Sequence, residues 1–262
     1  MNYCQTDLEG PEKIESLDGQ LFIYTHRSPC KETENEDCLA VLSLTNNSGI
    51  LVIADGLGGA PLGSGASQIS IETIEKTLKD NKGKLQLREI ILDSFEQANK
   101  LILEKGLGSA TTLAVVELQD NNVRTYHVGD SKIIACGQRG KVKINTVSHS
   151  PVEYAVEAGV LDENEAVLHD ERHLVSNVVG SHDMSISLGP TVKMSDHDTL
   201  LVASDGLFDN LYLEEIIEII RKGPLEAAAM NLANAATERM HSDEAEIPGH
   251  PDDLSFILYR LK

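Results

Sequence analysis

The sequence predicts an α+β protein built in layers, with two blocks of strands and a group of helices after each block. Apolar runs rich in Ile, Val and Leu form one block before residue 55 and a second between residues 110 and 146. Apolar residues at helical spacing follow the first block. The connections within the second block are too short for crossover helices, so its strands should pair as antiparallel hairpins. This order differs from the alternating strands and helices of a parallel βαβ array.

The first block contains three apolar runs, bounded by polar turns such as Asn46-Asn47-Ser48-Gly49. We expect strands at Leu21–Thr25, Cys38–Leu44 and Ile50–Ala54. Two helices should follow, the first from about Ser64 to Asp80. In the second helix, apolar residues recur at helical spacing from Leu87 to Ile102. Gly106 is placed to end that helix.

The second block leads into short helices and then into the last strands. Strands are expected at Thr111–Leu118, Val123–Val128, Lys132–Cys136 and Val142–Thr146. Ser150-Pro151 is a natural N-cap and first-turn pair, and Asp162 with Glu165 resembles a capping box, so two short helices should begin there. After an irregular stretch, the expected elements are a strand at Thr199–Ser204, helices near Leu213–Lys222 and Leu225–His241, and a strand at Leu254–Arg260.

Length and charge limit the classes of function. We expect residues 1–262 to form one domain with a sizeable core, because no repeat or Pro/Gly/Ser-rich linker divides the chain. Lys and Arg number 22 and Asp and Glu number 42, so the net charge is −20. A surface this acidic repels phosphate backbones, and we expect no nucleic-acid partner. No apolar run approaches the ~18–20 residues of a membrane span, and residues 1–10 lack a secretory signal pattern. We therefore expect a cytoplasmic protein without membrane attachment.

The four cysteines, Cys4, Cys30, Cys38 and Cys136, are scattered along the chain. None belongs to a Cys-x-x-Cys pair, which argues against a thiolate zinc site or a redox dithiol. We expect reduced thiols, as is usual in a cytosol.

Acidic residues recur at the ends of the predicted strands, where the backbone holds them rigidly. They are Asp55, Asp130, Asp205, the pair Asp252-Asp253 and the pair Glu36-Asp37. A single Asp-Gly pair is most often just a turn. Gly56-x-Gly58-Gly59 matches neither the dinucleotide fingerprint nor the P-loop spacing. Five acidic sites brought together would repel one another unless hard cations lay among them, and oxygen ligands suit Mg²⁺ or Mn²⁺.

Six motifs follow one another in a characteristic order. They are Glu34-Asn35-Glu36-Asp37, Asp55-Gly56-Leu57-Gly58-Gly59, Gly108-Ser109-Ala110-Thr111-Thr112, Val128-Gly129-Asp130-Ser131, Ala203-Ser204-Asp205-Gly206-Leu207-Phe208-Asp209 and Asp252-Asp253-Leu254-Ser255. By these motifs the chain, from about Glu34 to Arg260, resembles the metal-dependent protein serine/threonine phosphatases of the protein phosphatase 2C (PPM-type) family. The segment Ser148–Gly180 is similar to the bacterial branch of that family, and it implies a flap-like segment at about 150–195 beside the active site.

The resemblance implies a four-layer α-β-β-α sandwich, in which two central, mainly antiparallel sheets are flanked by helices. It implies Mn²⁺ or Mg²⁺, two ions per chain and a third in addition. Asp55 would bridge the two ions, and Asp205 and Asp252 would complete the first site; these three are the implied catalytic residues. Glu36 and the carbonyl of Gly56 would serve the second site, with Asp37 in support. Asp130, helped by Asp205, would hold a third ion.

Several positions depart from the family pattern. Many members carry a phosphate-binding arginine four residues before the motif glutamate, where this chain has Glu32. Lys31 or Arg27 would replace it, unless both are ordinary surface charges. Leu57 stands where animal members often have histidine, and Asp253 stands where asparagine is common.

The implied function is hydrolysis of phosphoserine and phosphothreonine in a protein substrate by a water that two metal ions activate. The alternative is a catalytically weak, phosphatase-like regulatory binding module, for which the missing arginine is the only support. A simple calcium-binding protein is disfavoured, because the spacing of an EF-hand loop is absent. We expect a monomer whose partner is a phosphorylated protein.

Overall fold

A computed structural model describes residues 1–57, 62–81, 86–106, 108–242, 244 and 247–261. Gly58 and Gly59 of the second motif lie outside the described residues. The first elements are β1 (Asn2–Cys4), β2 (Glu12–Lys13), β3 (Gln20–His26), β4 (Cys38–Thr45), β5 (Ser48–Ala54), β6 (Gly56–Leu57), α1 (Leu62–Asn81) and α2 (Leu87–Lys105). The middle elements are β7 (Ala110–Thr111), β8 (Leu113–Gln119), β9 (Asn122–Val128), β10 (Lys132–Cys136), β11 (Val142–Asn145), α3 (Pro151–Glu157) and α4 (Glu163–Val167).

The last elements are β12 (Ser187–Leu188), β13 (Val192–Lys193), β14 (Thr199–Ala203), α5 (Asp205–Phe208), α6 (Leu213–Ile220), α7 (Leu225–Met240) and β15 (Leu254–Arg260). One sheet has the strand order β1-β4-β5-β8-β9-β12, with β13 also paired to β9. The second sheet has the order β11-β10-β14-β15-β3-β2. Neighbouring strands in both sheets are antiparallel, as the short connections predict.

In the described part of the chain, three apolar clusters hold four layers of sheets and helices together. Between the sheets, Leu51 and Ile53 of β5 pack in one cluster with residues of the second sheet. On the outer face of the first sheet, Ile50 and Val52 of the same strand pack with residues of α1 and α2. The outer face of the second sheet packs against α6 and α7. A strand buried on both faces needs apolar residues throughout, which explains the unbroken run in β5. The α+β class with two antiparallel sheets and helices is confirmed.

Strand register brings the acidic strand ends to one edge of the molecule. Cys38 of β4 lies opposite Ala54 of β5, so the residues that precede β4 lie beside Asp55. Ala203 of β14 lies opposite Phe256 of β15, so Asp205 and the residues before β15 are also neighbours. Acidic residues far apart in the chain therefore meet where the two sheets end.

The N-terminal strand corrects one prediction. Cys4 of β1 lies opposite Cys38 of β4, with a Cα–Cα distance of 4.2 Å, and the two form a disulfide. The expectation of reduced thiols is therefore wrong for this pair, because only strand pairing brings together residues 34 positions apart. Cys30 is a free, exposed thiol and Cys136 a free, buried one. Among the described residues, no helix combines the length and apolar character needed to cross a bilayer.

Candidate metal centre

Asp55 is held at the end of β5 by main-chain and hydroxyl contacts. Its N–H donates to Thr112 Oγ1 at 3.1 Å, and its carbonyl accepts from Thr112 N at 2.8 Å and from Thr111 Oγ1 at 2.7 Å. The Thr112 and Ser131 hydroxyl oxygens are 2.7 Å apart. These contacts join β5 to the turn that carries Asp130, so the two carboxylates are positioned together.

Three predicted ligands converge to form what we call the acidic triad: Asp55, Asp130 and Asp205. One carboxylate oxygen of each residue lies within 4.8 Å of the other two. The Oδ1 atom of Asp130 is buried and has no hydrogen-bond partner in the described part of the chain. An all-oxygen donor set with an unsatisfied buried oxygen fits a hard divalent cation.

Burial and mutual repulsion make ionisation of the triad unfavourable. The pKa of Asp130 is raised to about 7, by burial and then by the charge of Asp209. The pKa values of Asp55 and Asp205 are raised well above their ordinary range, by burial and then by neighbouring carboxylates. A divalent cation among these groups would favour their ionised forms, so the electrostatics fit a metal as well as the geometry does.

Asp252 lies beside the triad, and its environment is similar. Its Oδ1 atom accepts from Asp253 N at 2.7 Å, and burial raises its pKa. Its charge in turn raises the pKa of both Asp55 and Asp205. Asp252 is not one of the three residues whose carboxylate oxygens lie within 4.8 Å of one another.

Asp253 organises the loop that precedes β4. Its carboxylate accepts from Ser28 N at 2.7 Å, from Glu36 N at 2.7 Å and from Lys31 Nζ at 2.6 Å. Lys31 Nζ also donates to Glu36 Oε2 at 2.8 Å. Burial lowers the pKa of Lys31, but its hydrogen bonds with Asp253 and Glu36 outweigh burial and raise that pKa overall. One ammonium group therefore bridges two carboxylates; we call these three residues the Lys31 group.

The side chain of Glu36 and the carbonyl of Gly56 meet at the first turn of α1. A Cβ atom built on Gly63 would lie 2.4 Å from Glu36 Oε1 and 2.7 Å from Gly56 O. Glu36 Oε1 is buried without a hydrogen-bond partner among the described residues. Ser67 Oγ of the same helix donates to the Glu36 carbonyl at 2.6 Å. Glycine at position 63 thus lets two predicted ligands of the second metal approach each other.

Asp37 is buried behind these ligands. Ser204 Oγ donates to its Oδ2 atom at 2.9 Å, and its N–H donates to Asn35 Oδ1 at 3.0 Å. Its Oδ1 atom has no partner within the described residues. Burial and then the charge of Asp253 raise its pKa to about 7. The side chain links β4 to the start of α5, which carries Asp205.

The two predicted phosphate-binding cations lie in different settings. Lys31 contacts Glu36, a predicted metal ligand. Arg27 is directed to the N-terminal segment, where its Nε donates to Asp7 Oδ2 at 2.8 Å and its Nη1 to the Thr33 carbonyl at 3.2 Å. The structure therefore brings Lys31, and not the guanidinium of Arg27, into contact with the site carboxylates.

His149 is a site residue that the motifs and strand ends of the sequence do not identify. Its main-chain N–H donates to the Gly129 carbonyl at 2.9 Å, and its ring Nδ1 accepts from the main-chain N–H of Gly129 at 3.1 Å. Its ring stacks on His127 at 4.7 Å, and burial followed by His127 lowers its pKa to about 4. The neutral ring therefore supports the turn that carries Asp130. Histidine beside a serine-proline pair has no periodic signal that would have identified this role.

A cavity of about 110 Å³ adjoins the triad and extends under α3. Its lining includes two ion pairs that connect the segment after β11 to the rest of the site. Lys132 Nζ lies 2.9 Å from Glu153 Oε2, and Arg172 Nε lies 3.1 Å from Asp209 Oδ2. Both cations are therefore neutralised by carboxylates outside the triad.

Comparison with known proteins agrees with this geometry. Residues 27–242 match the family model described as protein phosphatase 2C. The protein phosphatase PhpP of Streptococcus pneumoniae is 30% identical over 200 residues, which cover 72% of this chain and 80% of that protein.

Two solved structures extend the likeness to the fold. The serine/threonine phosphatase of S. agalactiae superposes with a TM-score of 0.78 and 25% identity, covering 92% of this chain and 99% of that one. The catalytic domain of the serine/threonine phosphatase PstP superposes with a TM-score of 0.73 and 22% identity, covering 92% of this chain and 96% of that one. That second structure is a complex with 2 manganese ions.

Proposed function

Because this chain belongs to the protein phosphatase 2C family, it is a metal-dependent protein serine/threonine phosphatase, and we propose which of its residues perform the reaction. Asp55, Asp205 and Asp252 hold the first metal ion. Asp55, Glu36 and the carbonyl of Gly56 hold the second. The observation that carries a metal site at this edge is the convergence of the triad carboxylates within 4.8 Å. Asp252 is assigned to the first ion because its charge raises the pKa of both Asp55 and Asp205. Glu36 is assigned to the second because its buried Oε1 atom has no hydrogen-bond partner among the described residues.

The metals are Mn²⁺ or Mg²⁺, two per chain, and Asp130 with Asp205 holds a third. When bound, a pair of such ions supplies a water of lowered pKa as the nucleophile and screens the phosphoryl oxygens. Asp37 supports the ligands from behind through its hydrogen bond with Ser204. The hydroxyls of Thr112 and Ser131 keep Asp55 in place and need no nucleophilic role.

The substrate is a phosphoprotein, and Lys31 or Arg27 binds its phosphate. Lys31 is better supported, because its ammonium already lies between carboxylates of the site. Residues 150–195 form a flap that shapes the entrance, since Glu153 and Arg172 of this segment pair with residues of the cavity. A single domain, a monomeric state and a cytoplasmic location stay predictions.

The test is hydrolysis of a phosphothreonine peptide and of p-nitrophenyl phosphate by the full chain, with Mn²⁺ and with EDTA. Turnover should require the metal and should be nearly abolished in Asp205→Asn. Asp93→Asn is the matched control, because it makes the same charge change at an exposed position of α2. Full metal-dependent turnover in Asp205→Asn would refute the ligand assignment. Tight Mn²⁺ binding without turnover by the unmodified chain would favour the regulatory binding module.

The phosphate contact is tested by the Michaelis constants of Lys31→Ala and Arg27→Ala. Loss of the cation that contacts phosphate should raise the Michaelis constant of the peptide several-fold. Unchanged Michaelis constants in both variants would mean that neither Lys31 nor Arg27 contacts the substrate phosphate.

A further inference from the structure

Lys31 has an unusual position for a cation expected to meet substrate. Its Nζ atom lies 2.8 Å from Glu36 Oε2 and 2.6 Å from Asp253 Oδ2. The lysine side chain is 20% exposed, and those of Glu36 and Asp253 are 12% and 4% exposed. Two of its three N–H donors are therefore used inside the protein, in a setting that screens charge poorly.

The second carboxylate of this group is already well satisfied. Besides Lys31, Asp253 accepts the main-chain N–H groups of Ser28 and Glu36. Glu36 differs, because its Oε2 atom contacts Lys31 while its Oε1 atom is buried without a partner among the described residues. Glu36 is thus the member of the Lys31 group whose carboxylate has coordination capacity left.

A metal ion bound through Glu36 would bring two positive charges to the carboxylate that Lys31 already contacts. Like charges that share one poorly solvated carboxylate repel each other strongly. Lys31 would have to withdraw from Glu36, and its long side chain allows this while its contact with Asp253 is kept. The ammonium would then have donors free for a phosphate oxygen.

We propose that Lys31 is an internal counter-ion of Glu36 that competes with the second metal ion, so that this lysine sets how tightly that ion is bound. The inference rests on the proposed role of Glu36 as a metal ligand. Lys31 is accordingly a positioning residue toward the metal, and its release from Glu36 links metal occupancy to phosphate binding.

The test is calorimetric titration of the EDTA-treated, dialysed full chain with MnCl₂, with free Mn²⁺ followed in parallel by electron paramagnetic resonance. Lys31→Met removes the charge and keeps a chain of similar length. The weaker Mn²⁺ site should tighten about 10-fold, because the competing cation is gone. Lys143→Met is the matched control, since Lys143 forms a half-buried ion pair with Asp198 on another part of the molecule. This control should leave Mn²⁺ affinity within about twofold of the original value.

Melting temperatures in EDTA and in Mn²⁺ are a second measurement. An ion pair with only a structural role would stabilise the protein equally in both conditions. In EDTA, Lys31→Met should lower the melting temperature by several degrees, because Glu36 and Asp253 lose their shared cation. Saturating Mn²⁺ should remove most of this difference. Lys143→Met should show a loss that is the same with and without Mn²⁺.

A paired comparison keeps the inference testable if Lys31→Met folds poorly. Asp253→Asn and the double variant Lys31→Met/Asp253→Asn differ only in the lysine, and the double variant has the net charge of the original chain. The double variant should bind the weaker Mn²⁺ about 10-fold more tightly than Asp253→Asn. Equal affinities in both comparisons would overturn the counter-ion role. That result would leave the proposed function standing if Asp205→Asn still abolishes turnover, whereas no Mn²⁺ binding by the unmodified chain would overturn both.

Discussion

The acidic triad and the Lys31 group lie at the same edge of the two sheets, and they balance their charge differently. In the triad, three carboxylates approach one another without a lysine or arginine partner among the described residues. In the Lys31 group, a lysine stands between two carboxylates. The first arrangement needs a cation from outside, and the second carries its own. We therefore expect the triad to bind metal more tightly than the Glu36 side and to fill first.

The largest expected effect is a difference in turnover between a variant of the acidic triad and a variant of the Lys31 group. Asp55→Asn should lower metal-dependent turnover by on the order of 10³-fold, because it removes the carboxylate shared by both proposed metals. Glu36→Gln should lower turnover by only about 10- to 100-fold, since Asp55 and the Gly56 carbonyl remain. Steady-state kinetics at saturating Mn²⁺ checks the order, with Asp93→Asn as the control. Equal losses in both variants would contradict the proposed difference between the groups.

A steric change should disturb the Glu36 side without changing any charge. In Gly63→Ala, the new methyl group would lie within 3 Å of Glu36 Oε1 and Gly56 O, so these atoms must separate. We expect at least about 10-fold weaker binding of the second Mn²⁺ and a lower melting temperature.

Gly65→Ala on the same helix is the matched control, because a Cβ atom there meets nothing within 4 Å. It should stabilise α1 by about 0.5–1 kcal/mol, since alanine loses less backbone entropy than glycine on folding. Titration with Mn²⁺ and thermal unfolding of both variants distinguish a local clash from a general effect on the helix. Equal Mn²⁺ affinities in the two variants would mean that the Gly63 contact is unimportant.

The raised pKa values predict opposite pH trends with and without metal. Asp37 and Asp130 titrate near 7 in the folded protein and near 3.9 when unfolded, because burial penalises their charge. From the unfolded value up to and through the folded value the folded state holds more protons, so the free energy of unfolding in EDTA should fall as pH rises from 6.5, and the fall should level off by pH 8. His149, with its pKa lowered to about 4, is neutral in the folded state but binds protons in the unfolded state near its ordinary pKa of ~6.5, so it contributes a smaller opposite trend at the lower end of this interval. Mn²⁺ needs ionised ligands, so its stabilising effect should grow over the same interval.

Melting temperatures at pH 6.5, 7.25 and 8, each with EDTA and with Mn²⁺, measure these trends. Asp130→Asn should make the dependence in EDTA less steep, because it removes one of the buried carboxylates that titrate near 7. A stability in EDTA that rises over this interval would show that the carboxylates near the triad are already ionised at pH 6.5.

The smallest expected effect concerns the ion pair between the cavity and the flap-like segment. Glu153→Gln removes the charge of a part-buried pair with Lys132 but keeps an amide oxygen that can accept from the lysine, so we expect a loss of about 1–2 kcal/mol of stability. The Michaelis constant of a phosphopeptide should change by less than about threefold, and Mn²⁺ affinity should be retained. A loss of Mn²⁺ binding comparable with that of Asp55→Asn would mean that this pair, and not the triad alone, determines the metal site.

Much of the architecture was predictable because it depends on local patterns. Apolar runs and turn residues located the long strands, and Leu225–Met240 and Leu87–Lys105 follow from helical periodicity and end signals. The two-residue strands β12 and β13 and the three-residue β1 were missed, since such short segments lack a periodic signal. The disulfide between Cys4 and Cys38 depends on one of these missed strands.

The sequence by itself determined the antiparallel layered class, the acidic strand ends and, through six ordered motifs, the family. Those features depend on residues that are neighbours in the chain, so their spacing can be interpreted directly. Only the tertiary structure decided that Lys31 contacts Glu36 and Asp253, and that Gly63 lets Glu36 meet the carbonyl of Gly56. Contacts of this kind join segments separated by up to 222 residues, and they depend on strand register and packing rather than on any local pattern.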